Sequence, residues 1–253
     1  MKKIYIYPNL SEERYVAKVK RAIEVLNEKG HECYLNDQDG ALLYGKDHVN
    51  KGNIEDCDLI VSLGGDGTFL RGCKLAIEHD LPICGINCGN LGFLCACQLN
   101  SIEDLDIDAL SLHELSMLKF EYQEKTYEVL NEVVAGKDYF GGTVELEYRT
   151  KDRNARFRGD GLIVCTATGS TAYNLSAGGK IFKEEDNLIG ITPICAHTRG
   201  IGPVYVDSYE TVEICLSDNK YTASIFADGI YVGPLNKIEI SYSDRKIKIL
   251  NNK

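Results

Sequence analysis

The sequence contains no apolar run approaching the roughly 20 residues that a bilayer-spanning helix requires. Its first residues, Met1-Lys2-Lys3-Ile4-Tyr5-Ile6-Tyr7-Pro8, hold too short an apolar segment for a signal peptide, so a cytoplasmic location is expected. Positive charge is also scarce. A formal net charge of −10 argues against broad binding to nucleic acid or to an anionic membrane, both of which need a basic face. It leaves room for a small basic pocket that holds phosphates. Close metal-binding knuckles are missing too. Cys84, Cys88, Cys95 and Cys97 crowd together, but their intervals of three, six and one residues do not match the short CxxC pairs that zinc favours. With ten cysteines in a 253-residue chain and no export signal, reduced thiols and no fixed metal site in the protein are expected. Internal repeats and low-complexity tracts are absent as well.

What is there is the pattern of a globular protein. The length suffices for one large domain or two modest ones. Lys3 to Tyr7 is a short β-type run ended by Pro8. Ser11 is placed to cap a helix whose apolar residues Val16, Val19, Ile23 and Leu26 recur at helical spacing, with Gly30 closing it. Leu59 to Leu63 is a continuous apolar strand, as in a parallel sheet covered on both faces. Phe69 to His79 reads as a helix and Leu81 to Ile86 as another strand. This βαβ order predicts a doubly wound, Rossmann-like α/β domain over residues 1–100. Beyond a connection at Ser101 to Leu115, short runs of period two take over, among them Thr143 to Tyr148, Thr211 to Leu216, Tyr221 to Phe226, Lys237 to Tyr242 and Lys246 to Leu250. They predict a second, β-rich, sandwich-like domain over residues 101–253.

Two stretches carry chemistry. "LGGDGTFL" (63–70) sets Gly64, Gly65 and Gly67 between a strand and a helix, where glycines let phosphate approach backbone N–H groups. A plain tight turn reads the same way, but Asp66 does not suit one. A carboxylate in a phosphate cradle is costly unless it acts on a metal ion or as a base. The second stretch, "RGDGLIVCTATGSTAYNLSAGG" (158–179), follows Asp160-Gly161 and one apolar strand with hydroxyls, backbone donors and the ring of Tyr173. That set suits a nucleotide, the ring covering a base and the hydroxyls reaching sugar and phosphate. A solubilising Ser/Thr-rich loop would not need the close packing that Gly178-Gly179 implies.

With these motifs the sequence resembles the NAD kinase family, which phosphorylates the adenosine ribose 2′-hydroxyl of NAD to make NADP. The resemblance covers most of the chain, through "GGDGTFL" (64–70), "INCGNLGFL" (86–94), "LNEVV" (130–134), "DGLIVCTATGSTAYNLSAGG" (160–179), "PICAH" (193–197) and "ADG" (227–229). It implies that Asp66 is the catalytic base and that Gly64, Gly65, Gly67 and Thr68 form the phosphate loop. It implies that Gly67, Asn131, Glu132, Asp160, Thr168, Thr171, Ala172, Tyr173 and Ser176 bind the dinucleotide, Asn131 and Glu132 at the ribose and Asp160 often across a subunit boundary. Arg71, His197 and Asp228 are further candidates. The implied phosphoryl donor is ATP with Mg²⁺ or another divalent cation, or polyphosphate in some members, and the implied assembly is a homodimer or homotetramer. Ala167, Lys180 and Ala196 stand where the family commonly has proline, which removes no acid, base or ligand. Two other functions are open to such a sequence. The first motif is shared with lipid kinases of the same superfamily, against which the "TGSTAYNLSAGG" run argues. A non-catalytic dinucleotide-binding paralogue would not need Asp66, Asn131, Glu132 and Asp160 together.

Overall fold

The structure is a computed structural model that describes residues 1–45, 52–89, 94–138, 142–217 and 221–252. Its contacts divide the chain into two units, Met1–Glu114 with Ile247–Lys253, and Leu115–Lys246. The β-rich unit thus begins some way after the first irregular residues that follow the βαβ pattern, and the end of the chain returns to the α/β unit.

The first unit is built on parallel strands β1 (Lys3–Pro8), β2 (Glu32–Tyr34), β3 (Leu59–Gly64) and β4 (Ile83–Asn87), in the order β4-β3-β1-β2, with the short β5 (Cys97–Gln98) beside β4. Helices α1 (Glu13–Glu28), α2 (Asp37–Tyr44) and α3 (Asp66–His79) connect them. The alternation of β3 shows why its run is continuously apolar. Leu59, Val61 and Leu63 join the core with Val19, Ile23 and Leu26 of α1, while Ser62 of the other face lies under Gly72 of α3. The sheet is therefore doubly wound. The stretch after residue 98 is more than a connection: short 3₁₀ turns bury Ile102, Leu105 and Ile107 in the same core as α1.

Two helix starts differ from the sequence reading. Ser11 does not cap α1; its hydroxyl and N–H both bind Asn9 Oδ1, at 2.8 and 3.1 Å, because the Asx turn at Asn9 claims it first. Helix α3 begins three residues earlier than the apolar spacing suggests. Gly65 takes the cap position and Asp66 the first helical one, where a carboxylate suits the positive end of the helix dipole.

The second unit is a β-sandwich. One sheet holds β6 (Ser111–Tyr122), β7 (Lys125–Val129), β9 (Val144–Arg149), β10 (Asn154–Gly159), β14 (Val212–Leu216) and β17 (Lys237–Asn251). The other runs β13 (Val204–Asp207), β12 (Leu188–Ile194), β11 (Gly161–Cys165), β8 (Glu132–Lys137), β15 (Ala223–Ala227) and β16 (Ile230–Pro234), antiparallel throughout. Leu146, Phe157, Ile214 and Ile240 of the first sheet share a core with Val133, Ala135, Leu162, Val164 and Ile225 of the second. A short helix, α4 (Tyr173–Ser176), follows β11. The two strands expected at 237–242 and 246–250 are one. The polar link between them stays extended because Ser243 and Arg245 reach Glu128, at 2.5 and 3.0 Å, and Asp244 pairs with Lys119 at 2.6 Å.

Candidate functional site

In the first unit the site residues gather where β3 ends, the edge of a parallel sheet at which ligands bind in such folds. Strand β3 delivers Gly64, Gly65 caps α3, and Asp66 opens it. The N–H groups of Thr68 and Phe69 both turn back to the Gly65 carbonyl, at 2.9 and 3.0 Å. Asp66 Oδ1 accepts the Leu94 N–H at 3.4 Å, and Arg71 donates to Thr68 Oγ1 at 3.4 Å. The three glycines are not alike. A Cβ on Gly64 would collide with the Thr68 side chain, so folding alone demands glycine there. A Cβ on Gly65 would meet open space, and one on Gly67 only the tip of Arg71 at 3.7 Å, with neither φ in the left-handed region. Packing therefore does not explain glycine at positions 65 and 67, whereas an anion settling on the start of α3 does. Of the "INCGNLGFL" motif, residues 90–93 lie outside the described ones.

In the second unit the site lies on the face of β8 that points away from the sandwich core. The period of two sends Val133 and Ala135 inward and lines a cleft of about 380 Å³ with Glu132, Val134 and Gly136. Lys137, Asp160, Tyr173, Ile194, Phe226 and Gly229 complete it. Asp160 sits at the corner between β10 and β11, its N–H bound to the Ile194 carbonyl at 2.9 Å and its carboxylate paired with Lys137 Nζ at 2.7 Å.

Leu130, Asn131 and Glu132 form the junction into β8, and their backbone is fully satisfied by two residues. The Leu130 and Asn131 carbonyls accept from Thr166, through its hydroxyl at 2.6 Å and its N–H at 2.9 Å. The Glu132 carbonyl accepts the Asp228 N–H at 3.1 Å. The three N–H groups all donate to the Asp228 carboxylate, at 2.9, 2.8 and 3.2 Å. What remains is on the side chains. Asn131 Oδ1 and Glu132 Oε2 are buried with no hydrogen-bond partner among the described residues, in side chains only 6 % and 8 % exposed. Buried polar atoms are almost always paired, and leaving one unmade costs about 1–3 kcal/mol, so these two orphans, Glu132 in the cleft lining and Asn131 next to it in sequence, make the junction a candidate site for a polar ligand. Burial, with the nearby Asp228 charge, pushes the Glu132 carboxyl from 4.5 up to about 7. The Asp228 carboxyl is raised as well, by burial, against the pull of its three N–H donors.

The Ser/Thr-rich run divides into an inner and an outer set. Thr166, Ser170 and Asn174 are fully buried and turned inward. Ser170 Oγ donates to the Ala167 carbonyl at 2.6 Å, and Asn174 ties the Ser170 and Lys180 carbonyls to Thr192 Oγ1 at 2.9, 3.1 and 2.6 Å. These hydroxyls and amide brace the turn rather than reach outward. A Cβ on Gly169 would collide with the Asn131 carbonyl oxygen, so glycine lets this turn press against the Asn131 backbone. Of the residues implied by the resemblance, Glu132, Asp160 and Tyr173 meet in the cleft. Asn131, Thr168, Thr171, Ala172 and Ser176 are not among its lining residues; Thr171 and Ser176 are exposed, and the Thr171 hydroxyl binds the Thr168 carbonyl at 3.1 Å. His197 is likewise exposed and outside the cleft, anchored by its backbone N–H to the Arg158 carbonyl at 2.8 Å.

Lys137 and Thr166 had no assigned role in the sequence. Lys137 meets Asp160 because β8 pairs with β11, and no local spacing reveals that pairing. None of the ten cysteines forms a disulfide, and Cys195 alone among them is exposed. Among the described residues no group of three or more His, Cys, Asp or Glu converges to hold a metal ion, and no helix is long and apolar enough to cross a membrane.

Known proteins are similar to this chain in sequence and fold. Residues 5–110 match the ATP-NAD kinase N-terminal domain and residues 130–252 the ATP-NAD kinase C-terminal domain. The chain is 31% identical to the NAD kinase of Sulfurimonas denitrificans, over 87% of this chain and 81% of that one. It is 30% identical to that of Ruminiclostridium cellulolyticum, over 100% and 94%. Among solved structures, an NAD kinase from Archaeoglobus fulgidus in complex with ATP superposes with a TM-score of 0.74 at 25% identity, covering 99% of this chain and 94% of that one. Yeast NADH kinase complexed with NADH shares the fold, with a TM-score of 0.82 at 20% identity over 100% and 84% of the two chains. The chain belongs to the ATP-NAD kinase family.

Proposed function

We propose that this protein is an NAD kinase that transfers the terminal phosphoryl group of ATP to the adenosine ribose 2′-hydroxyl of NAD. The observation that carries the reading is the Leu130–Glu132 junction. Its backbone is wholly satisfied, and two buried side-chain oxygens are left over, that of Glu132 in the lining of a cleft that also holds Tyr173 and the Lys137–Asp160 pair. A ribose supplies hydroxyl donors for those oxygens. Asn131 and Glu132 bind it, Asp160 holds a second part of the dinucleotide, and Tyr173 offers a ring face to a base.

Phosphoryl transfer asks little covalent chemistry of a protein and much positioning. Gly65 and Gly67 let the triphosphate settle on the start of α3, where N–H groups and the helix dipole face it. Asp66 accepts the proton of the attacking hydroxyl. A divalent cation carried on the triphosphate supplies charge neutralisation when bound, and Asp66 is the carboxylate at hand for it. A cytoplasmic homodimer or homotetramer is the corresponding assembly.

The test is a coupled assay in which the purified chain, NAD and Mg²⁺-ATP are scored by a strictly NADP-dependent dehydrogenase. NADP formation supports the reading. No NADP from ATP or from polyphosphate would remove it, and phosphorylation of a diacylglycerol under the same conditions would replace it with a lipid kinase.

A further inference from the structure

Asp228 lies outside both long motifs, in the short "ADG" motif of the family resemblance, which names it as a further candidate without giving it a role. It occupies the hairpin turn between β15 and β16 with Gly229, at φ values of +46° and +76°. Two successive left-handed residues make a type I′ turn, which Asp-Gly and Asn-Gly favour because their backbones adopt it at little cost. That turn explains glycine at 229 and a short polar residue at 228. It does not explain why the carboxylate reaches back about 100 positions in sequence. Oδ2 takes the Leu130 N–H, and Oδ1 takes those of both Asn131 and Glu132. Three donors converging on one carboxylate form an anion nest filled by a side chain instead of a ligand. The Asp228 N–H completes the grip on the Glu132 carbonyl.

We propose that Asp228 is a positioning residue for dinucleotide binding: its carboxylate fixes the Leu130–Glu132 backbone so that Asn131 and Glu132 present their free oxygens to the ribose. The inference rests on the NAD kinase reading for the ligand, and on the hydrogen bonds alone for the positioning. With the backbone amides consumed by Asp228, the Asn131 side chain cannot turn back onto them, as Asn side chains otherwise commonly do. Both side chains stay available to a partner from outside. Because the same carboxylate holds both residues, its loss acts on both.

Asp228→Asn separates the turn from the nest. Asn-Gly preserves the I′ turn. Only one oxygen remains where two were used, so at least one N–H faces an NH₂ group. Asp228→Gly is the second variant, keeping the left-handed backbone with no side chain at all. In the ligand-free full chain, amide hydrogen exchange by NMR is expected to show protection at Leu130, Asn131 and Glu132 reduced at least tenfold, with the β11 amides unchanged. NAD is the ligand for calorimetry, where either variant is expected to raise Kd at least tenfold. Combined with Asn131→Ala, either is expected to raise Kd by clearly less than the product of the two single effects, since the part of its action that runs through Asn131 is already lost while the part through Glu132 remains. Unchanged protection at the three amides overturns the proposal. So does an NAD affinity within twofold of wild type, a fully multiplicative double variant, or failure of both variants to fold, which would make the carboxylate a requirement of the whole unit. If the wild-type chain does not bind NAD, the kinase reading falls, and the exchange measurement still decides whether Asp228 sets this backbone.

Discussion

Replacing Glu132 by Gln tests whether this cleft trades stability for binding. The wild-type carboxyl is moved from 4.5 to about 7, chiefly by burial. At about 1.4 kcal/mol per pH unit, that places on the order of 3 kcal/mol on its ionisation in the folded protein. Below the unfolded value both states hold the proton, and the group contributes no penalty. As pH rises from 4.5 to about 7 the unfolded chain releases the proton while the folded one retains it, so stability falls through that window. Above it the whole penalty is present. Glu132→Gln is neutral at every pH and of nearly the same shape. The variant is therefore expected to melt close to wild type near pH 4.5 and, in the absence of ligand, up to about 10 °C higher near pH 8, taking roughly 2–4 °C per kcal/mol for a chain of this size. Calorimetric scans across that pH range measure the difference directly. A difference that does not grow with pH, or a wild type more stable than the variant near pH 8, would refute the burial argument. The same substitution is expected to weaken NAD binding, the recurrent cost of relieving a strained binding site.

Other outcomes follow from the two motifs. Asp66→Asn keeps the side-chain size and removes the base, so kcat is expected to drop by about 10²–10⁴-fold with the KM for NAD retained; a kcat within about threefold of wild type excludes Asp66 as the base. Gly67→Ala adds a methyl to the first turn of α3 where only Arg71 is near. It is expected to raise stability by up to about 1 kcal/mol, as glycine-to-alanine changes in helices do, while the KM for ATP rises several-fold; unchanged steady-state kinetics with ATP would show that no phosphate settles there. Thiol titration of denatured, unreduced protein is expected to count close to ten, and stoichiometric zinc in the purified protein would contradict the reading of the cysteines as plain thiols.

The sequence by itself determined whatever rests on local spacing. The continuous Leu59–Leu63 run and the period-two stretches distinguish a buried parallel strand from half-exposed antiparallel ones, because side-chain periodicity is fixed by the backbone itself. Glycines beside Asp66 make the start of α3 a candidate phosphate site, a reading that local sequence alone also supplies. Local spacing failed where a distant partner decides. Ser11 is held by Asn9 instead of capping α1, and the polar residues 243–245 remained strand because Glu128 and Lys119 hold them. In the cleft the limit is sharper. Which hydroxyls of the Thr166–Ser176 run face inward, that Lys137 neutralises Asp160, and that Asp228 closes the Leu130–Glu132 junction all depend on strand pairing between segments remote in sequence. Only the tertiary structure brings these groups within hydrogen-bonding distance. It also decides which of them are consumed by the fold and which, like Asn131 Oδ1 and Glu132 Oε2, are left with no hydrogen-bond partner among the described residues.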